Sequence, residues 1–351
     1  MLRPDKSLTP YAKSLKSLAM TYLPQQKKKK KKKGNIVADW LAYAAFRVLV
    51  FFMYRFNVDA NLRFARFVGR LLWKYYHRGR QRALDNLHAS YPEKDEQWIV
   101  QTGIRSFEQI AMLAVDVLFT PRLVKKSNWR EYSRYKNAEM AKWMIKENKG
   151  MILVTGHYGN FEIMGYLFAL FGFNIYGIAR PLDNKFINKY LYEARQRSGQ
   201  KLLDKKGAAQ LMPKLICEGA TIGFIADQDA GKKGIFVDFF GRRASTYKSI
   251  GLLALTYNVP IAIGYGRRIG NRFFFELGCT RIIRPEEWAD KENPLEWITA
   301  EYTKAIETFV REDPTQYWWL HRRWKHRPKD ELSQTAKNTV TQTNSKFPAA
   351  L

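Results

Sequence analysis

Hydrophobic positions divide the chain into three stretches of different period. The first is a nearly continuous apolar run over residues 36–54, broken by Asp39 and Arg47. A membrane-spanning helix needs about 20 mostly apolar residues. This run is long enough, but its two charges make it a marginal span. From residue 60 to 147 apolar residues recur at helical spacing, clearest over 62–76 and 98–118. Tyr91-Pro92 marks a turn between those two, and Asp95 is a suitable cap for the second. From residue 150 short apolar runs alternate with amphipathic segments. Strands are predicted at 151–155, 174–179, 221–226, 260–265 and 273–277, and helices at 161–171, 184–197, 208–217, 249–257 and 294–312. Such alternation predicts an α/β fold, a largely parallel sheet sandwiched by helices and preceded by a helical, membrane-anchoring N-terminal region.

The domain organisation follows. Residues 1–34 form a basic segment expected to be disordered, and 35–56 the anchoring helix. Residues 57–328 form the main domain, helical over 57–149 and α/β over 150–328. Residues 329–351 are rich in Ser, Thr, Asn and Gln and read as a disordered tail. No internal repeat is present.

Charge changes the picture at the N-terminus. Residues 27–33 are seven consecutive lysines, and Arg55, Arg63, Arg66, Arg70 and Lys74 follow the apolar run. Both flanks are basic, so the positive-inside rule selects no orientation. Re-entrant or interfacial anchoring satisfies both flanks. Over the whole chain 60 Lys and Arg oppose 32 acids, a net charge of +28. That excess attracts anionic lipid, phosphorylated substrates, an acidic carrier protein or nucleic acid, without choosing among them. Cys217 and Cys279 match no zinc or disulfide spacing and fit a reducing compartment.

Candidate chemistry begins at Gly156-His157-Tyr158-Gly159-Asn160-Phe161-Glu162, directly after the 151–155 strand. His157 stands in a strand-to-helix loop and Glu162 in the first helical turn. A neutral imidazole oriented by a carboxylate takes a proton from an alcohol. An isolated pair of this kind more often serves structure; here three further segments accompany it. Arg180 follows the second strand, where it can grip a phosphate or developing negative charge. Asp227 and Gln228 follow the third strand, and Lys232 and Lys233 stand between Gly231 and Gly234 in a loop suited to anions. Residues 317–328 interleave aromatics with cations, which suits a membrane surface or a phosphorylated lipid. In an α/β sheet, ligands gather beyond the carboxyl ends of the strands, where His157, Arg180 and Asp227 converge. His321 and His326 are five apart with no third ligand nearby, so no metal is expected. No Gly-x-Ser-x-Gly elbow occurs and neither cysteine lies near His157 in sequence, so direct transfer is simpler than a covalent intermediate.

The 156–162 segment, the block from Asp227 to Gly241, and His321-Arg322-Arg323-Trp324-Lys325-His326-Arg327-Pro328 together resemble the bacterial lipid A late acyltransferases. These are lauroyl and myristoyl transferases within the lysophospholipid acyltransferase-like group. The resemblance runs from about residue 36 to 328. It implies an enzyme at the cytoplasmic face of the inner membrane, moving a fatty acyl chain from acyl carrier protein to a hydroxyl of a lipid A precursor. It implies His157 as general base, Glu162 as its orienting partner, and no cofactor. It places Arg180, Asp227 and Gln228 at the substrate site; Asn160, Lys232, Lys233 and Arg242 are further candidates for substrate binding. Two alternatives stand beside it. One is transfer to another lipid (a phosphatidylinositol mannoside, a glycerolipid or an ornithine lipid), with acyl-CoA as a possible donor. The other is a non-catalytic basic protein binding membrane or nucleic acid; with the acyltransferase reading preferred, no nucleic-acid partner is expected.

Overall fold

The computed structural model describes residues 35–137, 141–142 and 150–328. The lysine run and the polar tail, both expected to be disordered, lie outside the described residues. Helix α1 spans Ile36–Met53 and starts where the Asn35 side chain accepts the N–H groups of Val37 and Ala38. It is long and apolar enough to cross a membrane, and only 6% of it is buried within the protein. One edge still grips the body. The Asn184 amide donates to the Asp39 carbonyl at 2.7 Å, and Phe46 meets Tyr190 edge-on at 5.5 Å.

Helices α2 (Val58–Tyr75), α3 (His77–Ser90) and α4 (Glu96–Leu123) complete the helical part. The predicted cap holds: Asp95 accepts the Trp98 N–H at 2.7 Å. Helix α2 turns Leu62, Ala65 and Gly69 inward against α4. A Cβ on Gly69 would stand 2.6 Å from the Glu108 Cα, so the two helices meet backbone to backbone. The region predicted as helical to residue 147 instead gains a short strand, β1 (Ser133–Tyr135), paired with the strand Phe275–Ile283.

The α/β part runs β2 (Ile152–Thr155), α5 (Ile163–Leu170), β3 (Ile175–Ala179), α6 (Lys185–Gln196), β4 (Lys201–Asp204), α7 (Lys205–Cys217), β5 (Thr221–Ile225), β6 (Ile235–Phe239), β7 (Arg242–Thr246), α8 (Ser249–Tyr257), β8 (Ile261–Arg268), β9 (Phe275–Ile283) and α9 (Pro294–Glu312). Seven strands form one sheet in the order β1-β9-β8-β2-β5-β3-β4. The β8–β9 pair is antiparallel and the others are parallel. Three elements escape the periodicity. β4 is a four-residue edge strand with charge at both ends, and β6 and β7 form a separate hairpin inside the expected basic loop.

Both faces of β2 are covered. Ile152 and Val154 join a core built with α8 and α9, while Leu153 joins one built with α4 and α5. That double burial is why the strand reads as an unbroken apolar run. It also leaves the loop after β2 as the first place where a polar side chain meets a cleft.

Candidate active site

β2 and β5 are neighbours, with Thr155 opposite Ile225 and the Ala226 N–H bonded to the Thr155 carbonyl at 2.9 Å. Two residues past each strand end, His157 and Asp227 therefore stand side by side. His157 Nδ1 lies 2.7 Å from Asp227 Oδ1, and the His157 backbone N–H donates to Oδ2 at 2.8 Å. Asp227 is buried. Burial alone would raise its pKa, but His157, its hydrogen bonds and nearby His321 hold it well below the ordinary carboxylate value. An ionised carboxylate at Nδ1 makes that nitrogen the donor and leaves Nε2 as the basic lone pair.

The loop has little freedom. Gly159 takes φ +52°, its N–H donates to the Gln316 carbonyl at 3.0 Å, and a Cβ there would lie 2.2 Å from the Gly266 oxygen. The Asn160 N–H donates to Gly266, and the Asn160 side chain accepts the N–H groups of Glu162 and Ile163. Buried Asn160 thus holds the turn that leads into α5. Glu162, expected at His157, is held by Arg195 of α6 through two bonds of 2.7 and 2.5 Å. The spacing that puts Glu162 near the histidine also starts a helix, which turns its carboxylate toward α6; the bond to His157 comes from β5.

A strap after α9 closes the other side. The Trp318 N–H donates to the His157 carbonyl at 3.1 Å, and Tyr158 and Tyr317 form a β-bridge. The rings of His321, Trp318 and Phe161 stand 4.5, 5.0 and 5.2 Å from that of His157. Burial, then His157, push the His321 pKa down to about 4, so it is neutral at physiological pH. Arg323 is buried and donates to the Ser245 carbonyl and Thr246 Oγ1, both at 2.6 Å. The alternation over residues 317–328 suits a membrane surface or a phosphorylated lipid, but three of its residues, Tyr317, Trp319 and Arg323, are almost wholly buried. Their aromatic–cation alternation was visible in the sequence, but nothing local marks which side chains turn inward.

His157, Asp227 and His321 each present a ligand atom within 4.8 Å of the others, a spacing one divalent cation can bridge. The sequence pairs His321 with His326 and predicts no metal there; His326 bonds Asp229 at 2.7 Å, while the ligand atoms near His321 come from His157 and Asp227.

Residues 24–326 match the family model described as bacterial lipid A biosynthesis acyltransferase. The chain belongs to this family. Among its relatives is a lipid A biosynthesis lauroyltransferase of Escherichia coli, 26% identical over 74% of this chain and 84% of the relative. A lipid A biosynthesis acyltransferase of Haemophilus influenzae is 27% identical over 72% and 78%. A lipid A biosynthesis myristoyltransferase of E. coli is 25% identical over 84% and 88%. The protein is an enzyme that transfers acyl groups in lipid A biosynthesis.

The acyltransferase does not gather all the expected site residues around His157. Arg180 is largely exposed and lies 3.7 Å from Asp183. Lys232 and Lys233 are exposed in the turn before β6, and the Gln228 side chain is exposed while its carbonyl accepts from Arg323 at 3.4 Å. Arg242 stacks 3.6 Å over the Trp324 ring and donates to Ser90 Oγ at 2.8 Å; burial, then Arg327, bring its pKa down to about 10. Among the described residues, none of these five has a hydrogen bond or ion pair to His157, Asp227 or Glu162. Arg242 anchors the hairpin to α3.

Proposed function

We propose that this acyltransferase moves a fatty acyl chain from the thioester of acyl carrier protein directly to a hydroxyl of a lipid A precursor. The observation that carries the reading is the His157–Asp227 pair, whose carboxylate leaves His157 Nε2 as a base. Nε2 takes the hydroxyl proton as the oxygen attacks the thioester carbonyl. Asp227 steadies the imidazolium that forms. The tetrahedral intermediate collapses, the thiolate leaves, and His157 returns the proton to sulfur. Neutral His321 adds no charge to oppose that imidazolium. Glu162 and Arg195 act beside the base as a positioning pair for the acceptor, in place of an orienting bond to His157. Cys279 is buried in β9 and Cys217 lies exposed at the end of α7, so neither supplies a nucleophile here.

The same reading places the enzyme at the cytoplasmic face of the inner membrane. Support comes from α1 and from exposed Phe64, Phe67 and Leu71 of α2, interleaved with Arg63, Arg66, Arg70 and Lys74. The test is transfer of labelled acyl groups from acyl carrier protein to a tetraacylated lipid A precursor in detergent micelles. Wild type should be active, and His157→Ala should be folded and inactive. A folded His157→Ala with full activity would sink the mechanism. An inactive wild type that turns over acyl-CoA, or another lipid acceptor, would sink the assignment of donor or acceptor.

A further inference from the structure

A cavity of about 630 Å³ opens between α2, α4 and the segment that follows α9. That volume is in the range that holds a small ligand or headgroup. Four guanidinium groups line it, from Arg66, Arg70, Arg105 and Arg268. Two of them are matched by acids: Arg70 bonds Glu108, and Arg268 bonds buried Asp116. The remaining acid of the lining, Asp313, already accepts from Thr315 and from Gln316. Among the described residues no carboxylate pairs with Arg66 or Arg105, and Arg66 Nε is buried without a hydrogen-bond partner. A buried donor without a partner is unfavourable, a deficit that an anionic occupant would remove. Guanidinium forks match phosphate oxygens in geometry as well as in charge.

The surroundings select the source of the phosphate. Arg66 and Arg70 alternate along α2 with Phe67 and Leu71, which are 55% and 37% exposed. Phe64, on the same helix, is 62% exposed. A phosphate in the cavity would thus have apolar surface beside it for acyl chains. The cavity also borders the active site through Gln316. Its side chain lines the cavity, while its carbonyl holds Gly159, two residues from His157.

We infer that this cavity binds the phosphate of a phosphorylated lipid headgroup, with Arg66 and Arg105 gripping the phosphate and the acyl chains lying along α2. The assignment of that lipid as the acceptor rests on the proposed function; the binding site itself does not.

Isothermal titration of the full chain in micelles with dihexanoyl phosphatidic acid tests it, with dihexanoyl phosphatidylcholine and inorganic phosphate as comparisons. Phosphatidic acid should bind saturably and phosphatidylcholine should not. Arg66→Gln and Arg105→Gln should each weaken binding about tenfold or more. His157→Ala should bind as wild type does. Arg105 is exposed, so its variant carries little risk of misfolding. Binding that is absent, shared by phosphatidylcholine, or unchanged in both arginine variants would overturn the inference. Inorganic phosphate binding as tightly as phosphatidic acid would assign the site to free phosphate and overturn its lipid part. In turnover, the arginine variants should raise KM about tenfold for a phosphorylated acceptor, leave kcat alone, and leave KM for the dephosphorylated acceptor unchanged. Should His157→Ala remain active, the catalytic reading fails while the titration still decides the cavity.

Discussion

His157 has two neighbours whose titration separates catalysis from stability. Asp227 holds Nδ1, so Asp227→Asn should keep the ring in place but release the tautomer that exposes Nε2. The expected loss in kcat is about 10²–10⁴, similar to His157→Ala, in a protein that melts within a few degrees of wild type. Wild-type-like turnover in Asp227→Asn would reject the pairing. His321 works through protonation. Its folded pKa of about 4 lies below the ordinary 6.5, so the unfolded chain binds the proton first as pH falls. Stability from keeping His321 neutral is complete above pH 6.5 and is lost toward pH 4, up to about 3 kcal/mol over that window. Urea denaturation at pH 7, 5.5 and 4.5 should show the fall, and His321→Gln should flatten it. The metal spacing makes a further forecast. A base that needs its own Nε2 should be unaffected by EDTA and inhibited by zinc, which would compete for that lone pair. Activity that EDTA abolishes and zinc restores would reverse the assignment.

The catalytic loop depends on elements far away in sequence. Gly159 is the narrowest point, because a methyl group there meets the Gly266 oxygen at 2.2 Å and φ is positive. Gly159→Ala should cost about 2–4 kcal/mol and displace His157. A variant with wild-type melting and kcat would show that the loop tolerates more than its hydrogen bonds suggest. Arg323 ties the strap to β7, and Arg323→Met would leave the Ser245 carbonyl and Thr246 Oγ1 buried without that donor. The expected cost is about 2–4 kcal/mol, visible as a lower denaturation midpoint. The strap carries His321 and Trp318, so kcat should fall with it. Phe240 shows the same dependence in the hairpin turn: its φ of +57° is unusual for a bulky residue. The Glu307 carboxylate accepting its N–H and the Tyr91 and Trp319 rings around it hold it there.

Among the described residues, apolar exposure is concentrated on α1 and α2. Four basic residues, Arg63, Arg66, Arg70 and Lys74, stand on α2 beside that apolar surface. Phe64→Asp combined with Phe67→Asp should reduce flotation with anionic vesicles even with α1 intact, because α2 contributes its own apolar contact. Raising salt from about 0.05 to 0.5 M should weaken the remaining association, since the Debye length falls several-fold. Binding that is indifferent to both changes would assign attachment to α1 alone.

Local pattern alone identified α1, the strand–loop–helix around His157, the alternation of β2, β3 and β5 with their helices, and α8 and α9. Each is a contiguous segment whose period records the faces it buries, so a short window contains the signal. The family motifs were equally legible, as runs of neighbouring residues. The β6–β7 hairpin, the edge strand β4 and β1 were not, because short strands gain their pairing from partners that no window includes. Which carboxylate meets His157 was a matter of register: aligning Thr155 with Ile225 brings Asp227 to the ring, while the helix beginning at Glu162 turns that side chain to Arg195. The strap and the arginine-lined cavity likewise arise from packing between distant segments. A residue's type is written in the chain, but the direction it faces is set by what the fold lays against it.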